Sequence, residues 1–210
     1  MNGEVRVVSD VPAAFADLLA DERPSSVALS GGTTAQRCYA AVDDLPGATV
    51  FFGDERWVPV DHPDSNEGMA RRVLLDRSTV ACVHSLRGDG DDPEAAARHD
   101  EALLATSPPI DVIHLGLGPD GHTASLFPGA PALDERDRLV VVTGDDRHPH
   151  LRLTFTFPAI EACGLAVVTV AGREKAEAWR AVQAGEDVPA ARIRAGRVLW
   201  IVGDDVAGEG

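Results

Sequence analysis

Short apolar or β-branched runs alternate along this chain with segments of helical periodicity, and turn-forming residues separate the two. The runs predicted to be strands are 4–8, 25–30, 48–53, 79–86, 111–117, 138–143, 151–156, 165–172 and 197–202. The segments predicted to be helices are 11–23, 33–42, 65–76, 93–106 and 173–185, the third capped by Ser65 and the fourth beginning at Pro93. This alternation predicts an α/β fold with a doubly wound, mainly parallel sheet flanked by helices, with room for a small additional strand subregion.

The stretch from 128 to 150 is rich in Pro, Gly, Asp and His, which is typical of a connecting loop. This stretch could connect two subregions, and we interpret it as a loop region and not as a domain boundary. We therefore predict one α/β domain over residues 1–210.

Charge and composition exclude several classes of partner and location for this protein. The chain has 19 basic and 34 acidic residues, a net charge of −15, and 44% of its residues are hydrophobic. Such an acidic surface repels nucleic acid and anionic lipid, so we expect neither as a partner. There is no apolar run of membrane-span length and no signal-like N-terminus, which favours a cytoplasmic location; the oligomeric state is left open. Cys38, Cys82 and Cys163 show no paired spacing and are expected to be buried, reduced thiols.

Four loops that follow predicted strands carry the candidate chemistry, because parallel strands present their carboxyl ends on one face of a sheet. In the first loop, Gly31, Gly32 and Thr33 lie between a strand and a helix, where free amides and the helix dipole favour an anion such as phosphate. The glycine pattern is neither that of a nucleotide loop nor that of a dinucleotide fold, so ATP and NAD are disfavoured. The alternative is a tight turn capped by threonine.

Cationic side chains occur in two further loops. Arg56, in the segment 53–59, has a guanidinium suited to gripping a phosphate, although it also has Asp54 nearby as a partner for an ion pair. Lys175 follows Gly172 in the first turn of a predicted helix, where an anion is again favoured, although an ordinary solvated lysine fits the same pattern.

The central loop, GLGPDGHTASLFPG (116–129), is the most distinctive segment. Its glycines allow a sharp turn after a buried strand, and His122 is able to take a proton from water near neutral pH. Asp120 lies two residues away, where it is placed either to orient that imidazole or to bind a sugar hydroxyl. The sequence favours a metal site at His122 less than a role as a base. The nearest other imidazoles are poorly placed to share a metal with it, because His114 lies inside a predicted strand and His148 and His150 lie in a predicted loop.

These segments resemble the 6-phosphogluconolactonases, which belong with the glucosamine-6-phosphate isomerase/deaminase superfamily. The resemblance spans nearly the whole chain and is carried, in order, by LSGGTTA (29–35), GDERWVPVDHPDSNEGM (53–69), GLGPDGHTASLFPG (116–129), RLTFTFPAI (152–160) and the loop 172–175. Of these, HTASLFPG is the version typical of the lactonases. The family usually has Gly-Gly-Ser-Thr-Pro where this chain has Gly-Gly-Thr-Thr-Ala, which implies a less rigid loop.

The resemblance implies hydrolysis of 6-phospho-D-glucono-1,5-lactone to 6-phosphogluconate in the oxidative pentose phosphate pathway, without a metal or organic cofactor. By motif, His122 is implied as the general base for water. The phosphate would be held by Arg56, Lys175 and the amides around Gly31, Gly32 and Thr33. The sugar site would be lined by Asp54, Asn66 and Asp120.

Two other functions remain open at this point. A glucosamine-6-phosphate deaminase or isomerase of the same superfamily uses a glutamate soon after the histidine, whereas here residues 124–127 are Ala, Ser, Leu and Phe. A non-catalytic sugar-phosphate sensor shares the fold but usually accompanies a DNA-binding segment, and no basic N-terminal extension is present in this sequence.

Overall fold

The computed structural model describes residues 1–88, 90–144 and 149–208. Its strands are β1 (Glu4–Val8), β2 (Ser26–Leu29), β3 (Thr49–Phe52), β4 (Asp54–Arg56), β5 (Cys82–Val83), β6 (Val112–Gly116), β7 (Val140–Thr143), β8 (Arg152–Phe155), β9 (Leu165–Val170) and β10 (Arg197–Gly203). Its α-helices are α1 (Val11–Glu22), α2 (Thr33–Ala41), α3 (Asn66–Val73), α4 (Pro93–Thr106), α5 (Phe157–Glu161), α6 (Ala176–Ala184) and α7 (Asp204–Ala207).

Seven strands form one parallel sheet in the order β1-β10-β9-β6-β2-β3-β5. From β2 the chain proceeds through β3 and β5 to one edge, whereas from β6 it proceeds through β9 and β10 towards the other edge. The direction therefore reverses between β2 and β6, which are neighbours. The crevice at such a switch point is where open α/β sheets bind ligands. The predicted doubly wound, mainly parallel sheet is confirmed.

A second, smaller sheet is antiparallel, with the order β4-β8-β7. The chain passes from the large sheet to the small one at Gly53, whose N–H donates to Leu29 and whose carbonyl accepts from Phe155. The small sheet is the additional strand subregion allowed by the sequence pattern. The expectation of a loop over 53–59 is wrong for Asp54–Arg56, because β8 satisfies the backbone of this charged segment through strand pairing.

Other boundaries differ from the prediction at the sheet edge and at helix ends. The strand expected over 79–86 is reduced to β5, which pairs only with β3 at the edge of the sheet. Cys82 in β5 is exposed, so the expectation of buried thiols is wrong there and right for Cys38 and Cys163. The helix expected from 173 begins with a 3-10 turn, Arg173–Lys175, and α6 starts only at Ala176.

One apolar core joins the two sheets. Ile113 and Val167 of the large sheet belong to the same buried cluster as Val140 and Leu153 of the small one. Strand β9 is buried along its whole length, which explains why it is a continuous apolar run and not an alternating one. No helix in the described ranges combines the length and apolar character needed to cross a bilayer.

Asp100 is an ionisable residue inside this core. It lies on α4 beside a small cavity lined by Phe51, Leu103 and Phe155, among others, and is 6% exposed. Burial raises the pKa of Asp100 to about 7 from its ordinary value of 3.8. Because the folded-state pKa is the higher one, protonated Asp100 stabilises the fold. That contribution is complete below about pH 4 and is lost as the pH rises to about 7.

We expect Asp100→Asn to be more stable than the wild-type protein at pH 8 by about 1–3 kcal/mol, because the amide cannot ionise. The difference should shrink towards pH 4.5. Urea unfolding at the two pH values measures it, with Asp21→Asn, an exposed aspartate, as the control. An Asp100→Asn effect of equal size at both pH values would contradict the assignment.

Candidate active site

A cleft of about 700 Å³, counting space open to solvent, lies at the carboxyl ends of β2, β6 and β9, beside β4 and β8. Each of the four loops singled out in the sequence contributes to its lining, through Gly31, Arg56, His122 and Lys175 among others. The cleft lies at the switch point between β2 and β6.

The start of α2 forms one wall of the cleft. Thr33 is the first residue of α2, and the N-cap is Gly32, with φ at 92°. No side-chain hydrogen bond caps this end of the helix. The amides of the first turn, from Thr33 to Ala35, therefore have neither an intrahelical acceptor nor a cap, and these residues line the cleft. An uncapped helix N-terminus that opens into a cleft favours an anion, and a turn capped by threonine does not describe it.

Three cationic side chains line the same cleft: Arg56, Arg152 and Lys175. The β4–β8 register places Arg56 directly opposite Arg152. Arg56 Nη1 donates to the backbone oxygen of Asp64 at 2.6 Å, and the Arg152 guanidinium lies 5.4 Å from the centroid of the Phe127 ring. Opposed like charges repel one another, so a bound anion would relieve the repulsion between the two arginines.

Asp54 is the carboxylate that lines the cleft. It accepts hydrogen bonds from Ser125 Oγ at 2.7 Å and from Asn66 Nδ2 at 3.3 Å, and Ser125 in turn is 3.5 Å from Arg152 Nη1. Within the described part of the chain Asp54 forms no ion pair with Arg56, so the alternative of a structural Asp54–Arg56 pair is wrong here. Two neutral donors hold the carboxylate in place.

His122 forms a close pair with Asp120. The distance from His122 Nδ1 to Asp120 Oδ1 is 2.5 Å, and the backbone N–H of His122 also donates to Oδ1 at 3.2 Å. Burial alone would raise the pKa of Asp120, but the hydrogen bonds and charge of His122 outweigh it, so this pKa lies below its ordinary value. The carboxylate therefore stays ionised and is placed to accept a proton from Nδ1; a neutral imidazole with its proton on Nδ1 has its lone pair on Nε2.

The turn that carries His122 is tightly constrained. Gly121 adopts φ at 83°, and the Gly118 N–H donates to the His122 carbonyl at 2.8 Å. A methyl group on Gly118 would overlap the His122 ring, so this position requires glycine. The ring also contacts Phe127, with 4.7 Å between the centroids. Ala124, which lines the cleft, has φ at 47°, an uncommon conformation for a residue with a side chain.

Glu55 supports the site from behind. It is 1% exposed, and its carboxylate accepts from the backbone N–H groups of Arg56, Asn66 and Glu67 at 2.7–2.8 Å and from Ser65 Oγ at 3.0 Å. Burial raises the pKa of Glu55, and these four hydrogen bonds oppose the rise without cancelling it. The carboxylate thus joins β4 to the start of α3 and fixes the backbone N–H of Arg56.

A buried chain of hydrogen bonds runs beneath the cleft. The Ser30 N–H donates to Tyr39 Oη at 2.6 Å, and Tyr39 Oη is 2.8 Å from His114 Nδ1. His114 Nε2 is 2.8 Å from Thr169 Oγ1. Burial lowers the pKa of His114 to about 3, so the imidazole is neutral. These hydrogen bonds connect Ser30, the first residue after β2, to Thr169 near the end of β9. They use both ring nitrogens of His114, which excludes this histidine as a metal ligand.

Comparison with known proteins identifies relatives of this architecture. The family model of the glucosamine-6-phosphate isomerases/6-phosphogluconolactonase matches residues 4–200. The chain belongs to this family. A 6-phosphogluconolactonase from Synechocystis sp. is 42% identical, covering 91% of this chain and 86% of the relative, and one from Nostoc sp. is 41% identical, covering 87% and 83%.

Solved structures of the isomerase/lactonase fold agree with this assignment. The 6-phosphogluconolactonase from Trypanosoma brucei superposes with a TM-score of 0.83 at 28% identity, covering 98% of each chain. A monomeric glucosamine-6-phosphate deaminase has the same TM-score at 20% identity, covering 97% of this chain and 98% of that one, and this likeness concerns the fold alone.

The structure brings together most of the nine site residues that the sequence predicts for this chain. Seven of the nine line the cleft, and the two that do not are Asn66 and Asp120. Asn66 is 1% exposed and lies behind Gly31, where a methyl group would overlap its side chain. Its amide donates to Asp54, and Asp120 contacts His122, so the prediction that Asn66 and Asp120 line the sugar site is not met in this structure: each contacts a residue that does. His148 lies outside the described residues.

Sequence reasoning missed Arg152 and Glu55. Arg152 is 8% exposed, and its signal in the sequence is a basic residue within the otherwise apolar run LRLTFT. Glu55 looked like one of three loop charges in GDERW, because nothing local indicates that its partners are the amides of α3, ten or more residues later. Only the tertiary fold brings these groups together.

We expect Glu55→Gln to lower the free energy of unfolding by about 2–3 kcal/mol, because an amide replaces an acceptor surrounded by buried donors. Glu135→Gln is the matched control, since Glu135 also accepts from three backbone amides but does so in contact with solvent. The control should change stability by clearly less than Glu55→Gln, because solvent screens the Glu135 carboxylate. Equal losses in the two variants, measured by urea unfolding, would contradict the supporting role of Glu55.

Proposed function

We propose that this protein hydrolyses 6-phospho-D-glucono-1,5-lactone to 6-phospho-D-gluconate, a step of the oxidative pentose phosphate pathway, and that residues 1–210 act as one sugar-phosphate-binding unit. One observation carries the chemistry. A histidine oriented by Asp120 lines the same cleft as an uncapped helix N-terminus and three cationic side chains. The names of the relatives support the substrate. The cytoplasmic location and the exclusion of nucleic acid stay predictions from the sequence.

The phosphate is assigned to the cationic part of the cleft. A phosphate monoester is close to doubly charged at neutral pH, and the amides of Thr33 and Thr34, with Arg56, Arg152 and Lys175, offer it charge-assisted donors. In a chain of net charge −15 these groups concentrate positive potential in one place. Asp54 is the acceptor in the lining and is suited to a sugar hydroxyl.

His122 is assigned as the general base. Nε2 takes a proton from water while the water oxygen adds to the lactone carbonyl carbon. The bond between that carbon and the ring oxygen then breaks, and the imidazolium returns its proton to the ring oxygen as the hydroxyl forms. Asp120 holds the tautomer and stabilises the imidazolium, so no covalent intermediate on the protein is required.

We expect His122→Ala to lower kcat by about 10²–10⁴-fold with little change in KM, because only the proton transfer is lost. Asp120→Asn should lower kcat less, since the imidazole remains but its tautomer is no longer fixed. The assay follows lactone generated in situ against its spontaneous opening. His99→Gln, an exposed histidine on α4, should leave both constants unchanged. A large rise in KM with kcat retained would exclude the base role of His122.

Arg56→Ala should raise KM at least about tenfold and change kcat by less than about threefold, because the phosphate does not react. Arg152→Ala should act in the same direction if both arginines hold the phosphate. Arg98→Ala is the control, since this arginine is exposed on α4 and away from the cleft. An unchanged KM in both cleft variants would overturn the phosphate assignment.

The deaminase alternative makes a different demand on the cleft. It needs a second acid or base after the histidine, and Ala124, Ser125, Leu126 and Phe127 supply no carboxylate. Incubation with glucosamine 6-phosphate and an ammonia assay separates the two functions. Ammonia release at a rate comparable to lactone hydrolysis would favour the deaminase. Binding of 6-phosphogluconate without any acceleration of lactone opening would favour a sensor.

A further inference from the structure

His62, Asp64 and His150 form a cluster outside the cleft. His150 Nε2 is 3.0 Å from Asp64 Oδ2, and His62 Nδ1 is 3.9 Å from the same oxygen. One ligand atom from each residue can be chosen so that all of them lie within 4.8 Å of one another. Within the described residues, no other group of three His, Cys, Asp or Glu side chains meets this condition.

The donor set and its spacing fit a divalent transition metal. Two imidazoles and a carboxylate are the protein ligands of many zinc sites that keep one position for water. Bonds of about 2.0–2.1 Å in a tetrahedral site place ligand atoms about 3.3 Å apart, which lies between the two measured distances. The remaining adjustment is a movement of partly exposed side chains. It replaces the hydrogen bond that His62 Nδ1 now accepts from the Asp64 N–H at 3.1 Å.

The backbone around the cluster is already ordered. The His62 N–H donates to the Pro59 carbonyl at 2.9 Å, and the His62 carbonyl accepts from the Ser65 N–H at 3.0 Å. The Trp57 N–H donates to Leu151 at 2.7 Å, so the segment after β4 is held against the segment before β8. The three side chains are thus presented by two neighbouring segments that lie 86 residues apart in sequence.

We propose that His62, Asp64 and His150 bind Zn²⁺, or a divalent metal of similar ligand preference, as a clip between the segments that follow β4 and precede β8. The clip is separate from the proposed reaction, because none of its three residues lines the cleft. It acts next to the cleft, since Asp64 also accepts the hydrogen bond of Arg56 through its carbonyl. A metal bound there stabilises the folded protein by mass action.

Calorimetric titration with Zn²⁺ alone tests the site. All proteins carry Cys82→Ser, since this exposed thiol is a competing ligand. We expect one Zn²⁺ per chain, bound at least about tenfold more weakly in His62→Gln and in His150→Gln and unchanged in His99→Gln. Because the imidazoles must be neutral to bind, affinity should fall as the pH is lowered. Unaltered binding in both ligand variants overturns the proposal.

Two further measurements distinguish the clip from zinc bound at another place on the chain. Compared with the Tm of the same variant in EDTA, Zn²⁺ should raise the Tm of the His99→Gln protein but not that of His150→Gln. The His122→Gln variant should still bind its equivalent, and loss of binding there would move the metal to the cleft and overturn the proposal. None of these measurements uses the lactone, so their outcome is independent of the proposed hydrolysis.

Discussion

The cleft depends on keeping two like-charged side chains, Arg56 and Arg152, close together although they repel one another. The chain has a net charge of −15, yet two arginines face each other across β4 and β8, and Lys175 and the start of α2 open into the same space. Like charges that lie directly opposite each other on neighbouring strands repel one another. Strand register and buried supports fix the arrangement, and a bound anion would relieve the repulsion.

The supports are polar groups that are removed from solvent. Glu55 fixes the backbone beside Arg56, and the chain from Ser30 to Thr169 fixes the loop before α2. Because these groups are buried, breaking one of their hydrogen bonds would leave a donor or acceptor unsatisfied at a high cost in free energy. The hydrogen bonds therefore keep the groups in place despite the positive charge in the cleft. Asp120 does the same for His122 at the surface, where an ionised carboxylate fixes the imidazole tautomer. The reactive groups are thus few, and a larger set of residues orients them.

Gly53 connects this cleft to the architecture. The chain leaves the large sheet there and enters the small one, so that β4 continues across the top of the switch point. This path brings Arg56 and Arg152 to the loops that end β2 and β6. A doubly wound sheet alone would supply the helix N-terminus and the histidine turn. The second sheet adds the paired arginines and, through the segments beside it, the cluster of His62, Asp64 and His150.

The sequence by itself determined the elements of the large sheet and the loops that carry the chemistry. Most of its apolar runs are buried strands, with β1 and β5 at the sheet edges as exceptions, and its glycine turns, with His122 among them, follow strands for local steric reasons. The tertiary structure decided the features whose hydrogen-bond or strand partners lie far away in the sequence. The charged segment Asp54–Arg56 is a strand because β8 pairs with it, and Glu55 is buried because the amides of α3 surround it. Arg152 reaches the cleft through cross-strand register, which is a relation between residues about a hundred positions apart and leaves no periodic signal in either segment.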